Sequence, residues 1–125
     1  MRSRSAIRRF VFILAAGLVI VSADATRAQD GFRITYEVDR TRPDRARLTG
    51  KVVNERSDDV FEVNITAEAL DAKGKVLARG ISYVDSRIAR GDGRPFSMSV
   101  PTVAGTTGFR VIVSSYRAGF STQGP

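Results

Sequence analysis

From Phe32 onward the chain alternates apolar and polar residues with a period of two, and no stretch repeats at the helical 3.6. Phe32, Ile34, Tyr36 and Val38 alternate with Arg33, Thr35, Glu37 and Asp39. Phe61, Val63, Ile65, Ala67 and Ala69 alternate with Glu62, Asn64, Thr66 and Glu68. Successive side chains of a strand point to opposite faces, so each run predicts a half-buried strand. Between Phe32 and Tyr116 there are 16 Val plus Ile and only three Leu, a bias toward residues that fit a pleated surface. Parallel sheets need crossover helices, and none is predicted. The expected fold is therefore all-β: an antiparallel, immunoglobulin-like β-sandwich of six to seven strands.

Turn chemistry divides the runs. Asp39-Arg-Thr-Arg-Pro43-Asp44 separates the first strand from one carrying Ala46, Leu48, Gly50 and Val52 on one face. Gly50, in mid-strand, predicts a bulge or a close neighbour. Asn54 to Asp59 is the next loop, where the Asn54 side chain can bond neighbouring backbone. Asp71-Ala-Lys-Gly74-Lys75 predicts a short hairpin loop with Gly74 left-handed and a bulge closing it. The returning strand, from Lys75 to about Asp85, has Leu77, Ile81 and Tyr83 on one face and Val76, Ala78, Gly80 and Val84 on the other. Both faces are apolar, so the pattern leaves open which points inward. Arg90 to Pro95 reads as a loop, and Phe96, Met98 and Val100 as a short strand stopped by Pro101. After the Gly/Thr-rich link 103–108, Phe109, Val111 and Val113 begin the last strand.

The first 25 residues read as an address. Arg2, Arg4, Arg8 and Arg9 precede twelve residues from Phe10 to Val21 with no polar side chain, followed by Ser22-Ala-Asp-Ala25. A basic start, a short apolar run and small residues at −3 and −1 form a secretory signal, expected as a helix cleaved after Ala25, or alternatively after Ala28. The run is short of the roughly 20 residues a membrane span needs; retention as an anchor is the other reading. Membrane contact is thus expected only through this segment before cleavage. The domain plan is signal peptide 1–25, linker 26–31, sandwich 32–116 and flexible tail 117–125. The expected location is periplasmic or secreted, by the general secretory route.

Cleavage changes the charge argument. The whole chain has 20 basic and 13 acidic residues, a net +7; removing residues 1–25 leaves 16 and 12, a net +4. Much of the case for nucleic-acid binding leaves with the leader, and no nucleic-acid partner is expected. The chain contains no Cys and no His. That removes imidazole bases, thiol nucleophiles and the usual zinc ligands. No G-x-S-x-G occurs. No catalytic, cofactor-binding or metal site is expected, and the chain is read as a non-enzyme.

The positions Leu48-Thr-Gly50-Lys-Val52-Val-Asn54, Phe61 to Ile65, Ala69-Leu-Asp71-Ala-Lys-Gly74-Lys-Val76, Tyr83-Val84, Pro95-Phe96 and Val111 to Val113 resemble the FxLYD domain family. These are secreted bacterial β-sandwich modules, and the resemblance covers roughly residues 48–116. The family's Phe, Leu and Tyr fall on Ala67, Ala69 and Leu70, so only Asp71 of that motif is kept. The resemblance implies the sandwich and an extracytoplasmic setting, and no catalytic residues.

Remaining candidates are surface features. Arg40, Arg42, Arg45 and Arg47 crowd one turn and form a possible anion-binding site, since guanidinium binds oxyanions through paired donors. Asp39 and Asp44 are interleaved with them, which favours a solvated charged turn. The neighbours Asp58 and Asp59 suggest paired carboxylates or a calcium loop, but without a spaced ligand series. Arg90-Gly91-Asp92 and Asn64-Ile65-Thr66 match short adhesion and glycosylation signals that arise by chance. The leading functional expectation is a cell-envelope module acting by protein–protein interaction through an edge strand, with Phe32–Asp39 and Phe109–Tyr116 as candidate edges. The alternative is a binding module for an anionic envelope polymer, such as an anionic glycan, through the Arg40–Arg47 turn.

Overall fold

The computed structural model describes residues 20–118, the first ten of them by backbone alone. Seven strands follow one another: β1 (Ile20–Gln29), β2 (Phe32–Asp39), β3 (Arg45–Asn54), β4 (Val60–Leu70), β5 (Val76–Ile88), β6 (Gly93–Pro101) and β7 (Gly108–Ala118). They form two antiparallel sheets, ordered β1-β2-β3-β6 and β5-β4-β7. The chain crosses between sheets after β3, β5 and β6, as an immunoglobulin-like sandwich requires. The expected fold class is observed.

The alternating positions form the interior, except that Phe61 is only half-buried outside the core and Val60 is buried in its stead, because β4 bulges at Glu62. Phe32, Ile34, Tyr36 and Val38 of β2, Ala46, Leu48 and Val52 of β3, and Phe96, Met98 and Val100 of β6 line one inner face. Val63, Ile65, Ala67 and Ala69 of β4 with Val111 and Val113 of β7 line the other. Each fully buried large side chain contributes roughly 1.5–3 kcal/mol relative to exposure. Gly50 stands opposite Tyr36, and a Cβ there would collide with the Thr35 carbonyl and Tyr36 Cα. Of the two readings of this glycine, the close neighbour is the one found. Asn54 is fully buried at the end of β3. Its Nδ2 donates to the carbonyls of Asp58 and Ile88 at 2.9 and 3.0 Å, and its Oδ1 accepts from Arg56 N at 2.9 Å. One side chain thereby fastens two loops.

Both open sides of the sandwich are cross-tied. On one, the Tyr36 hydroxyl donates to Phe109 O at 2.9 Å, and Phe32 meets Tyr116 edge-on at 5.0 Å between centroids. On the other, Gly80 of β5 lies against the Ser99 carbonyl of β6, and Arg94 Nε reaches Asp85 Oδ2 at 3.0 Å.

Several expected boundaries move. The linker expected over 26–31 instead contains the end of β1 and a two-residue hairpin turn. Asp30 and Gly31 both have positive φ, 50° and 85°, between the paired residues Gln29 and Phe32. That is a type I′ turn, whose twist matches the strands it joins. The remaining backbone groups of β2 receive β1 as a partner. Of the signal helix expected over residues 1–25, residues 1–19 lie outside the described residues, whereas Ile20 to Ala25 belong to β1. β6 begins at Gly93, inside the expected 90–95 loop, and β7 reaches Ala118, so the tail begins later than 117. Residues 119–125 lie outside the described residues. The hairpin loop before β5 is as expected: Gly74 has φ 85°, Asp71 Oδ1 accepts from Lys73 N and Lys75 N, and the register shifts between Ala69 and Leu70.

Candidate functional site

The arginine turn separates into two parts. Arg40 turns toward the second sheet, donating to Thr106 O at 3.3 Å and lying 5.5 Å over the Phe109 ring. It is a tie between layers and leaves the expected site. Arg42, Arg45 and Arg47 stay together and, with Asp39, Thr41 and Ser99, line a shallow cleft of about 100 Å³. Arg45 and Arg47 stand two apart on β3, so both face outward from the sheet. Asp44 approaches Arg42 and Arg45 only at 3.9 and 3.8 Å. Such exposed pairs contribute at most about 1 kcal/mol. Asp39 is an Asx turn, accepting from Thr41 N at 2.9 Å. That backbone donor, with lesser help from the Thr41 hydroxyl and Arg47, holds its carboxyl below the ordinary range. The cleft therefore mixes cations with an ionised carboxylate.

The sheet register adds residues that the turn alone does not indicate. Lys51 lies on the same outward face of β3, two rungs beyond Arg47. On β6, Ser99 stands opposite Arg47 and Ser97 opposite Thr49; on β2, Asp39 and Glu37 stand opposite the same two residues. Arg47 Nη1 donates to Ser97 Oγ at 2.8 Å. Among the described residues neither Arg47 nor Lys51 forms an ion pair.

The adjacent acids Asp58 and Asp59 diverge. Asp58 pairs with Arg56 at 2.9 Å, which also lies 5.1 Å over Tyr116. Asp59 accepts from Arg90 N at 2.9 Å and Arg87 Nη2 at 2.7 Å, and these donors, the backbone one first, lower its carboxyl. Both are engaged by arginines rather than converging on one point. The Arg90-Gly91-Asp92 tripeptide occupies a tight exposed turn with Gly91 at φ 79°, and Asp92 pairs with Arg94 at 2.5 Å. Asn64 lies within β4 and bonds Ser115 Oγ at 3.1 Å.

A second surface emerges on β5. The open question about its faces is resolved: Ala78, Gly80 and Val84 turn toward the core, while Ile81 and Tyr83 remain 74% and 53% exposed. β5 is an edge strand, and so is β7, as expected. β2, expected as an edge, is flanked by β1 and β3. Tyr83 is held in place. Its hydroxyl donates to Glu62 Oε1 at 3.1 Å, and partial desolvation, with this carboxylate second, raises its pKa. Glu62 has φ 52° where the β4 register shifts, a strained bulge that aims the carboxylate. One rung beyond Ile81, Glu68 is nearly buried between Arg110 and Arg79, at 2.5 and 3.3 Å.

No family model matches the sequence, and no curated protein matches it. Two solved structures are similar. The C-terminal domain of wzt shares 20% identity over 81% of this chain and 70% of its own, with a TM-score of 0.48. A beta-glucuronidase from glycoside hydrolase family 2 shares 16% identity over 57% of this chain, with a TM-score of 0.38; the match spans 7% of that enzyme. Neither is similar enough to transfer a site or an activity.

Proposed function

We propose that this chain is an exported, non-enzymatic binding module that meets a protein partner along β5, an extended segment of that partner adding to the edge. The observation that carries the reading is the pair Ile81 and Tyr83, large apolar side chains left exposed on a 13-residue edge strand. Edge strands offer unpaired backbone groups, and natural sheets blunt them with proline. The facing edge, β6, carries Pro95 and Pro101; β5 carries none. Tyr83, fixed by Glu62, loses little freedom on contact, which favours affinity. The absence of His and Cys, and the engagement of Asp58 and Asp59 by arginines, support a non-enzymatic role. The leader-like first 25 residues and the resemblance to secreted FxLYD modules support export to the cell envelope.

Crosslinking the tagged chain in cells, followed by mass spectrometry, tests the contact. A reproducible partner is expected with the native chain and lost with Ile81→Lys/Tyr83→Lys, while the melting curve stays within a few degrees because neither side chain is buried. Equal capture by native chain and variant would exclude β5.

A further inference from the structure

We propose that the outward face of β3 and β6 binds a linear acidic polysaccharide, independently of the β5 contact. The register of three strands builds this face. On β3, Arg45, Arg47 and Lys51 face the same way, and Arg42 joins them at the turn. Residues two apart are spaced about 7 Å along a strand, so the cations form a row. On β6 the flanking rungs carry the hydroxyls of Ser97 and Ser99; on β2 they carry the carboxylates of Glu37 and Asp39. Neighbouring strands are about 4.8 Å apart, which sets hydroxyl, cation and carboxylate rows side by side across about 10 Å.

Each row suits a different group of an acidic sugar chain. Guanidinium and ammonium groups take its carboxylates or phosphates. Asp39 and Glu37 accept from sugar hydroxyls, while the serines both donate and accept. The same composition disfavours nucleic acid. A phosphate backbone offers nothing for two carboxylates to accept beyond sparse hydroxyls, and the outward residues of β2, β3 and β6 include no aromatic on which bases would stack. Arg47 and Lys51 are outside any ion pair among the described residues, although acids stand on the next strand; Arg47 is held by the Ser97 hydroxyl alone, which a ligand carboxylate can replace.

The test measures binding of the purified chain to polygalacturonate, to phosphorylated dextran, to neutral dextran and to a single-stranded oligodeoxynucleotide. The first two separate carboxylate from phosphate as the recognised acid. Binding to at least one of them is expected, none to neutral dextran, and a steep loss between about 50 and about 200 mM salt as counterions are released. Arg45→Ala/Arg47→Ala should weaken polymer binding about tenfold or more. Ser99→Asp, which adds repulsion without removing an arginine, should weaken it similarly. Arg117→Ala, which changes the net charge by the same one unit as Ser99→Asp but on β7 of the other sheet, should leave it unchanged. Equal losses with Arg117→Ala would reduce the effect to net charge and overturn the site. Tighter binding to the oligonucleotide than to either polysaccharide, or no polymer binding at low salt, would overturn it as well.

Discussion

Glu68 is the residue where the balance between burial and pairing is sharpest. Its side chain is only 8% exposed on the outer face of the β5-β4-β7 sheet. Burial pushes its carboxyl up, but hydrogen bonds from Arg110 and then Arg79 outweigh that and bring it below the ordinary range. A native carboxyl with a lowered pKa binds fewer protons than its unfolded counterpart. Its contribution is therefore fully present above the unfolded Glu value of about 4.3 and is lost as pH falls through the lower native value. Asp39, Asp59, Asp85 and Asp92 shift the same way, so their acid-side losses reinforce one another. Chemical unfolding followed by intrinsic tyrosine fluorescence should show stability declining from about pH 5 downward. Glu68→Gln should cost about 1 kcal/mol at neutral pH, and the difference from the native chain should shrink toward pH 3. A pH-independent difference would mean that packing, not charge, holds Glu68 in place. The acid range thus reads the paired carboxylates of the surface and loops more directly than it reads the core.

Among the elements, the pairing of β2 with β3 depends on one glycine, Gly50, opposite Tyr36. Its missing Cβ would fall on backbone atoms of β2, which cannot swing aside as a flexible side chain does. Gly50→Ala should therefore cost more than about 2 kcal/mol in urea unfolding, whereas Gly108→Ala, with open space around it, should stay within about 0.5 kcal/mol. Similar costs at the two positions would show that β3 relaxes away from β2. The sequence already marks Gly50 as unusual, because a glycine in mid-strand requires a reason. It marks β2 and β4 still more clearly, since one face of each is apolar and the other polar. β5 resists that reading because Ile81 and Tyr83 alternate with Ala78, Gly80 and Val84, and periodicity cannot rank two apolar faces. Only the close approach to Ser99 makes the small-residue face the inner one. β1 is missed for another reason. Its apolar and small residues resemble the end of a leader, although Asp30-Gly31 is a strong hairpin signal. Arg40 leaves the arginine group because Phe109, distant in sequence, lies beneath it. Lys51, Ser97 and Ser99 join that group through pairing register, which local patterns do not contain.

At the scale of the whole molecule, the two proposed surfaces belong to different sheets. The cation row lies on the outward face of β3 in the four-stranded sheet; Ile81 and Tyr83 lie on the outward face of β5 in the three-stranded one. The core separates these faces, since stacked sheets sit about 10 Å apart before side chains are added. Sites so placed, with no shared partner, act additively to within about 0.5 kcal/mol. A module built this way links a protein to a polymer without one ligand displacing the other. Ile81→Lys/Tyr83→Lys should abolish crosslinking to the protein partner and leave polysaccharide affinity within about twofold. Arg45→Ala/Arg47→Ala should do the reverse, and saturating polysaccharide should leave the crosslinked yield unchanged. Competition between the two ligands would place them on one surface and remove the linking role even if each binds. Loss of both bindings in either variant, with an intact melting curve, would point to a coupled surface running around the β5–β6 side, where Arg94 bridges the sheets to Asp85. Arg94→Ala would then decide between the two arrangements: separate faces predict that each binding survives it, and a coupled surface predicts that both are lost.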